Sequence, residues 1–226
     1  MGDDYYLDFQ KYPLKTWQGE LKESELLPSR QILKEDLDGR FKILYENGVS
    51  NLQELMETLK TPKRAREFVH KTGLPEKYIL VLRREVMSLK PSPVNLSKFP
   101  GVNPEFIEKL DDVGIKNTLH LFKVVKTSQD REKLADELRV GVEQILELTR
   151  LADLSRVKWV GPVFARMFLD ARVNTVTKLS KTESTSFYDK LAKINQEKKY
   201  TQARFVESDL ELCIEFARKV PPVIEY

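Results

Sequence analysis

Three segments of the chain share one pattern, and an internal repeat constrains a fold more than any single motif does. They read FKILYENGVSNLQELM from Phe41, IEKLDDVGIKNTLHLF from Ile107 and ARMFLDARVNTVTKLS from Ala165. With Gly48, Gly114 and Arg172 as a common origin, Leu44, Leu110 and Phe168 stand four positions earlier. Val49, Ile115 and Val173 stand one position later, Leu55, Leu121 and Leu179 seven later, and Thr61, Thr127 and Thr185 thirteen later. The origins lie 66 and then 58 residues apart. A helix ends at each origin, because Gly reaches the left-handed conformation without a Cβ penalty. Arg172 predicts a costlier end there, or one more helical turn. The apolar residue that follows pins the turn and a short second helix begins. In the first copy Ser50 and Gln53 have capping-box spacing.

At Thr61-Pro62 a further helix starts, with a hydroxyl at the N-cap and Pro at the first helical position. It should end near Gly73. A run from about Pro75 to Leu89 then places Tyr78, Leu82 and Met87 on one side. A last helix, about Glu207 to Lys219, lines up Leu210, Ile214 and Ala217 and is stopped by Val220-Pro221-Pro222. No segment alternates with period two, so the fold class is all-α, built from three related helical units. Lys90-Pro91-Ser92-Pro93 breaks the chain. The expected organisation is an arm with one short helix over 1–28 (Trp17, Leu21, Leu26 and Leu27), a helical unit over 29–90, and a domain over 91–226.

Composition removes several classes of function. The 226 residues suffice for a core without covalent staples, and the single Cys rules out an internal disulfide and a multi-thiolate zinc site. The acidic start, Met-Gly-Asp-Asp-Tyr-Tyr, is unlike a secretory leader, and no charge-free stretch is long enough to span a membrane. The expectation is a cytoplasmic protein with no membrane partner. His70 and His120 fall in different repeats, and Cys213 sits between Leu212 and Ile214 on an apolar helix. Neither phosphate-binding glycine motif occurs. No catalytic residue, metal, cofactor or small-molecule substrate is expected, and the chain reads as a non-enzyme.

Two repeats are preceded by a glycine–proline hairpin, FPGVNPEFIEKL from Phe99 and VKWVGPVFARMF from Val157. These resemble the helix-hairpin-helix fold, whose hairpin usually reads apolar-Pro-Gly-apolar-Gly-Pro, over roughly residues 94–195. The last two units would then form a tandem helix-hairpin-helix domain. The whole chain is similar to an uncharacterised bacterial family of tandem helix-hairpin-helix-like domains, a domain of unknown function. LRRE (Leu82–Glu85) and GPVFARMFL (Gly161–Leu169) contribute most to that likeness. The resemblance implies that hairpin amides hold a phosphate at a helix N-terminus. The anion site would be Gly101, Val102 and Asn103 in the first hairpin, and Val160 and Gly161 in the second. Each hairpin keeps only one of the two glycines. Trp159 replaces the first Gly of the second, Glu105 and Glu108 follow the first, and a lone Arg166 follows the second. A purely structural turn is the competing reading of both.

The formal charge of +3 hides an asymmetry. Residues 60–90 carry nine basic and three acidic residues, a net +6. Lys63, Arg64 and Arg66 stand in the first turns of a helix, where the macrodipole disfavours cations. With Lys71, Arg83 and Arg84 they are the candidate nucleic-acid-binding residues. An acidic protein surface, or plain solvation, would also account for them. Lys190, Lys193, Lys198, Lys199 and Arg204, interleaved with Tyr188 and Tyr200, form a milder patch that suits base stacking or a half-buried rim. The leading reading is sequence-nonspecific contact with a DNA or RNA backbone. The alternative is a protein–protein interaction scaffold with no nucleic-acid activity, using an apolar patch around Trp159, Phe164 and the Pro221–Tyr226 tail.

Overall fold

The repeat in the sequence is a repeat of backbone hydrogen bonds in the computed structural model of the chain, which describes residues 4–24, 26 and 28–226. Leu27, expected in the N-terminal helical region, lies outside the described residues, as do Met1–Asp3. At each origin the backbone turns left-handed, with φ of 80° at Gly48, 82° at Gly114 and 68° at Arg172. The next amide closes back on the carbonyl five residues earlier: Val49 on Leu44 at 3.1 Å, Ile115 on Leu110 at 2.8 Å and Val173 on Phe168 at 3.0 Å. The origin amide bonds three residues back in each case, on Tyr45, Asp111 and Leu169, all at 3.0 Å. All three are therefore Schellman helix ends. Arg172 makes the same stop as the glycines despite its Cβ.

Three residues past each origin a polar side chain caps the next helix. Asn51, Asn117 and Thr175 are extended and accept from the amides of Glu54 at 2.9 Å, His120 at 3.0 Å and Lys178 at 3.0 Å. This corrects the expected Ser50–Gln53 capping box by one position: Asn51 is the cap. The side chain that reaches back is Glu54, which accepts from the Ser50 amide at 2.7 Å. Side chains set the register because the extended cap residue must precede the first helical amide.

Two compact units are described, one of residues 7–90 and one of residues 4–6 with 91–226. The described residues are helical, with two isolated single-residue bridges and no strand. The first unit holds α1 (Leu14–Glu23), α2 (Leu37–Glu46), α3 (Leu52–Thr58), α4 (Pro62–Thr72) and α5 (Glu76–Ser88). Here α1 is an integral part of the core: Leu14, Trp17 and Leu21 are buried, with the indole 6.1 Å from the Phe41 ring. The second unit holds α6 (Pro104–Asp112), α7 (Thr118–Phe122), α8 (Ser128–Leu138), α9 (Val142–Leu154), α10 (Pro162–Asp170), α11 (Val176–Leu179), α12 (Ser184–Lys198) and α13 (Glu207–Ala217). Each copy of the repeat thus comprises four helices, α2–α5, α6–α9 and α10–α13. The third helix of each ends at a left-handed residue, namely Gly73, Arg139 or Lys199. The repeat columns form the core, since Leu44, Leu110, Phe168, Leu55, Leu121 and Leu179 are all fully buried.

The copies differ in how the amide four residues past the origin is satisfied. In the first, Leu52 donates to the Tyr12 carbonyl at 3.1 Å, and in the second Thr118 donates to Val94 at 2.9 Å. In the third, Val176 donates to the carboxylate of Asp153 at 3.3 Å. Asp153 is buried at the end of α9 and ion-paired with Arg156 at 2.6 Å. The Arg156 guanidinium also donates to the carbonyls of Tyr5 at 3.0 Å, Asp4 at 3.2 Å and Pro221 at 2.9 Å. Tyr226 reaches the same carboxylate through its hydroxyl at 3.0 Å. The chain ends of this unit are therefore gathered on one buried ion pair, and the tail is docked rather than loose.

Candidate functional site

The basic segment folds as the hairpin α4–α5. The hydroxyl of Thr61 caps α4, accepting from the Arg64 amide at 3.2 Å, and Pro62 takes the first helical position. Ala65 and Phe68 are buried, which turns the remaining positions outward. Lys63, Arg66 and His70 follow at i, i+3 and i+7 and share one exposed stripe. Arg64 stands two residues from Arg66, about 200° around the axis, so the two arginines lie on different flanks. Lys71 follows Arg64, and Glu67 lies between the stripes, 4.0 Å from Lys63.

The six expected nucleic-acid contacts divide into two kinds. Arg64 and Arg83 cover the C-terminal end of α3. Arg64 donates to the Glu57 carbonyl at 3.0 Å and stands 3.7 Å from its carboxylate. Arg83 is half-buried and donates to the carbonyls of Leu59 at 2.8 Å and Lys60 at 3.1 Å. A guanidinium at the negative end of a helix dipole is stabilising, and it satisfies carbonyls that the helix leaves open. Lys63, Arg66, Lys71 and Arg84 remain exposed. Arg84 shares the outer side of α5 with Lys77 and Leu80. His70 and Lys77 complete the two exposed stripes, and the i+3 and i+4 spacing was the signal that places them there.

The two glycine–proline hairpins have the same backbone. Gly101 and Trp159 occupy the left-handed position, with φ of 78° and 69°. Asn103 and Gly161 are extended caps, followed by Pro104 and Pro162. Their amides are largely engaged from within. Val102 donates to Phe99 at 3.5 Å, Val160 to Val157 at 3.1 Å and Gly161 to Trp159 at 3.1 Å. Asn103 uses its own side chain on the Glu105 amide at 2.9 Å. Arg166, the one cation following the second hairpin, is buried. It braces the first hairpin by donating to the Pro100 carbonyl at 2.6 Å, and it pairs with Glu147 at 2.7 Å.

The milder patch has the geometry of a rim. Tyr200 and Lys198 both bond Asp170, at 2.7 and 2.8 Å, and Tyr188 packs on the Phe205 ring at 5.7 Å. Trp159 is different, a Trp on a hairpin tip with 46% of its surface exposed. Cys213 is buried, and that burial, with Asp209 nearby, pushes its thiol up to about 12, which leaves it unreactive near neutral pH. The His120 ring lies 3.1 Å from the Gly114 carbonyl, beside the turn it follows. Among the described residues no three His, Cys, Asp or Glu side chains are placed to hold a metal ion, and no helix is long and apolar enough to cross a membrane.

Comparison with curated proteins and with solved structures finds no match to the chain. The family model described as a domain of unknown function, DUF4332, matches residues 100–220, more than half of the chain, and the protein belongs to that family.

Proposed function

We propose that the protein is a non-catalytic, cytoplasmic binder of nucleic-acid backbones, reading phosphate charge rather than base sequence. The observation that carries this reading is the exposed stripe of Lys63, Arg66 and His70 on α4. Its first member, Lys63, stands in the first turn of the helix, where the dipole gives cations no stabilisation and which holds no acidic residue. Lys71, Lys77 and Arg84 extend the positive surface of the same hairpin. A helix-hairpin-helix reading of copies two and three supports the same ligand class. Their glycine–proline turns repeat one conformation, left-handed residue, apolar residue, extended cap and proline. With Val102, Val160 and Gly161 bonded internally, those hairpins serve as rigid turns and the α4–α5 hairpin carries the charge.

Fluorescence anisotropy of labelled DNA and RNA across a salt series tests the reading. The five lysines and arginines of this surface predict a log–log salt slope of about −4 to −5 for duplex DNA. Replacing Lys63 and Arg66 together by Glu should abolish binding without touching the Arg64 and Arg83 caps on α3. Unchanged affinity in that double variant overturns the reading. Absence of binding at low salt does so too, and returns the protein to the role of an interaction scaffold.

A further inference from the structure

The α8–α9 hairpin of the second unit gathers more positive charge than its carboxylates answer. Arg131 of α8 and Arg150 of α9 meet at one ring, that of Tyr226, with their guanidiniums 5.9 and 6.0 Å from its centroid. Arg156 stands in the same cluster, but its guanidinium belongs with Asp153. Both oxygens of Asp153 are taken, one by Arg156 and the other by the Val176 amide and the Tyr226 hydroxyl. Asp130, next to Arg131 in the chain, turns back to accept from the Thr127 amide at 3.0 Å. Among the described residues no carboxylate forms an ion pair with Arg131 or Arg150. Each guanidinium has five N–H donors and a charge it does not shed. Arg131, only 4% exposed, spends one bond on the Val125 carbonyl at 3.0 Å. Arg150 makes no hydrogen bond among the described residues, and its Nε is fully buried. The Tyr226 ring is a partial answer, since about 6 Å is the outer reach of a cation–π contact. Buried charges are ordinarily paired, because an unpaired one loses its hydration without return.

We infer that Arg131 and Arg150 bind a small oxyanion, either inorganic phosphate or the phosphate group of a small metabolite. Guanidinium forks match phosphate oxygens two at a time, and both arginines have donors to spare. Solvent reaches the cluster at Arg150, which is partly exposed, and at Tyr226, which is 51% exposed. Arg131 is set too deep for the backbone of a polymer, which favours a small anion. The site belongs to the second unit, whereas the α4–α5 stripe belongs to the first. It goes beyond the nucleic-acid reading and stands without it.

The test is isothermal titration of the full chain with inorganic phosphate and, separately, with glycerol phosphate, at an ionic strength held constant with chloride. Saturable binding at one site is expected, and which of the two probes binds identifies the source of the anion. Arg150→Gln should weaken binding roughly ten-fold or more, the scale of lost hydrogen bonds to a charged group. Arg150→Lys, which keeps the charge without the fork, should lose less. Lys133→Gln, on the exposed side of α8, should lose nothing. Affinities are read well below each variant's melting transition, so that lost binding reports on the site and not on unfolding. In phosphate-free buffer Arg150→Gln should melt no lower than the parent, because it removes a charge that no carboxylate answers. A lower melting temperature there with phosphate affinity unchanged makes Arg150 a packing residue and overturns the site. Undiminished affinity in Arg150→Gln overturns it as well, and so does the absence of saturable binding with both probes.

Discussion

Copies one and two complete their second helix with backbone, and copy three completes it with a buried charge. Leu52 and Thr118 donate their amides to the carbonyls of Tyr12 and Val94, whereas Val176 donates to Asp153. The local geometry is otherwise the same: Schellman stop, extended cap, short helix. The third copy therefore depends on an ion pair whose other partners come from residues 4, 5, 221 and 226. Equivalent positions in a repeat can share one backbone conformation and still draw their stability from different physics.

The largest effect should come from breaking that difference. Asp153→Ala leaves Arg156 charged and buried and strips the Val176 amide of its acceptor. A cost of about 3–5 kcal/mol is expected in urea or thermal unfolding. Asp153→Asn sharpens the comparison: if it costs as little as an ordinary cap deletion, the carboxylate acts only as an acceptor and its charge is incidental. The cap deletion itself, Asn117→Ala, should cost about 1 kcal/mol by the same measurement.

Helix stops supply a pair of predictions with opposite signs. Gly114→Ala places a Cβ in the left-handed region and should destabilise by roughly 1 kcal/mol, while Arg172→Gly removes one and should stabilise by a comparable or smaller amount. If both variants destabilise, Arg172 owes its place to contacts that outweigh backbone strain.

The smallest effect concerns the third helix of each copy. Thr61 and Thr127 cap α4 and α8, but in copy three Glu183 replaces the hydroxyl and caps α12. Hydrogen bonds from Ser186 and then Thr185 hold its carboxyl down to about 2, against an ordinary 4.5. A folded value below the unfolded one contributes stability above the unfolded value, and that contribution is lost as the pH falls from about 4.5 to about 2. Glu183→Gln should flatten the acid limb of the melting temperature in that window, whereas Thr61→Ser should leave its shape unchanged.

Much of the fold was legible because it is local. Glycines at 48 and 114, the apolar columns around them and the Thr-Pro start at 61 each act through contacts within a few residues, and period alone identifies them. The one-residue error at Ser50 has a local cause too, since Ser50 and Asn51 are both good caps and only the turn geometry chooses between them. The candidate site was half legible. Counting charges found the basic segment, but a count does not distinguish Arg66, which faces solvent, from Arg83, which closes the end of α3. Arg166 and Arg156 show the same limit, because their acceptors lie 66 and as many as 152 residues away in the chain.

The sequence by itself determined the helical class, the threefold repeat and the helix stops at Gly48, Gly73 and Gly114, because hydrophobic period, left-handed glycine and side-chain caps are short-range physics. The tertiary structure alone decided which cations face water, how the third copy satisfies its open amide, and that Trp159 stands exposed on a strained turn. Those outcomes depend on carbonyls, carboxylates and rings brought together from distant parts of the chain, and no local pattern encodes their meeting.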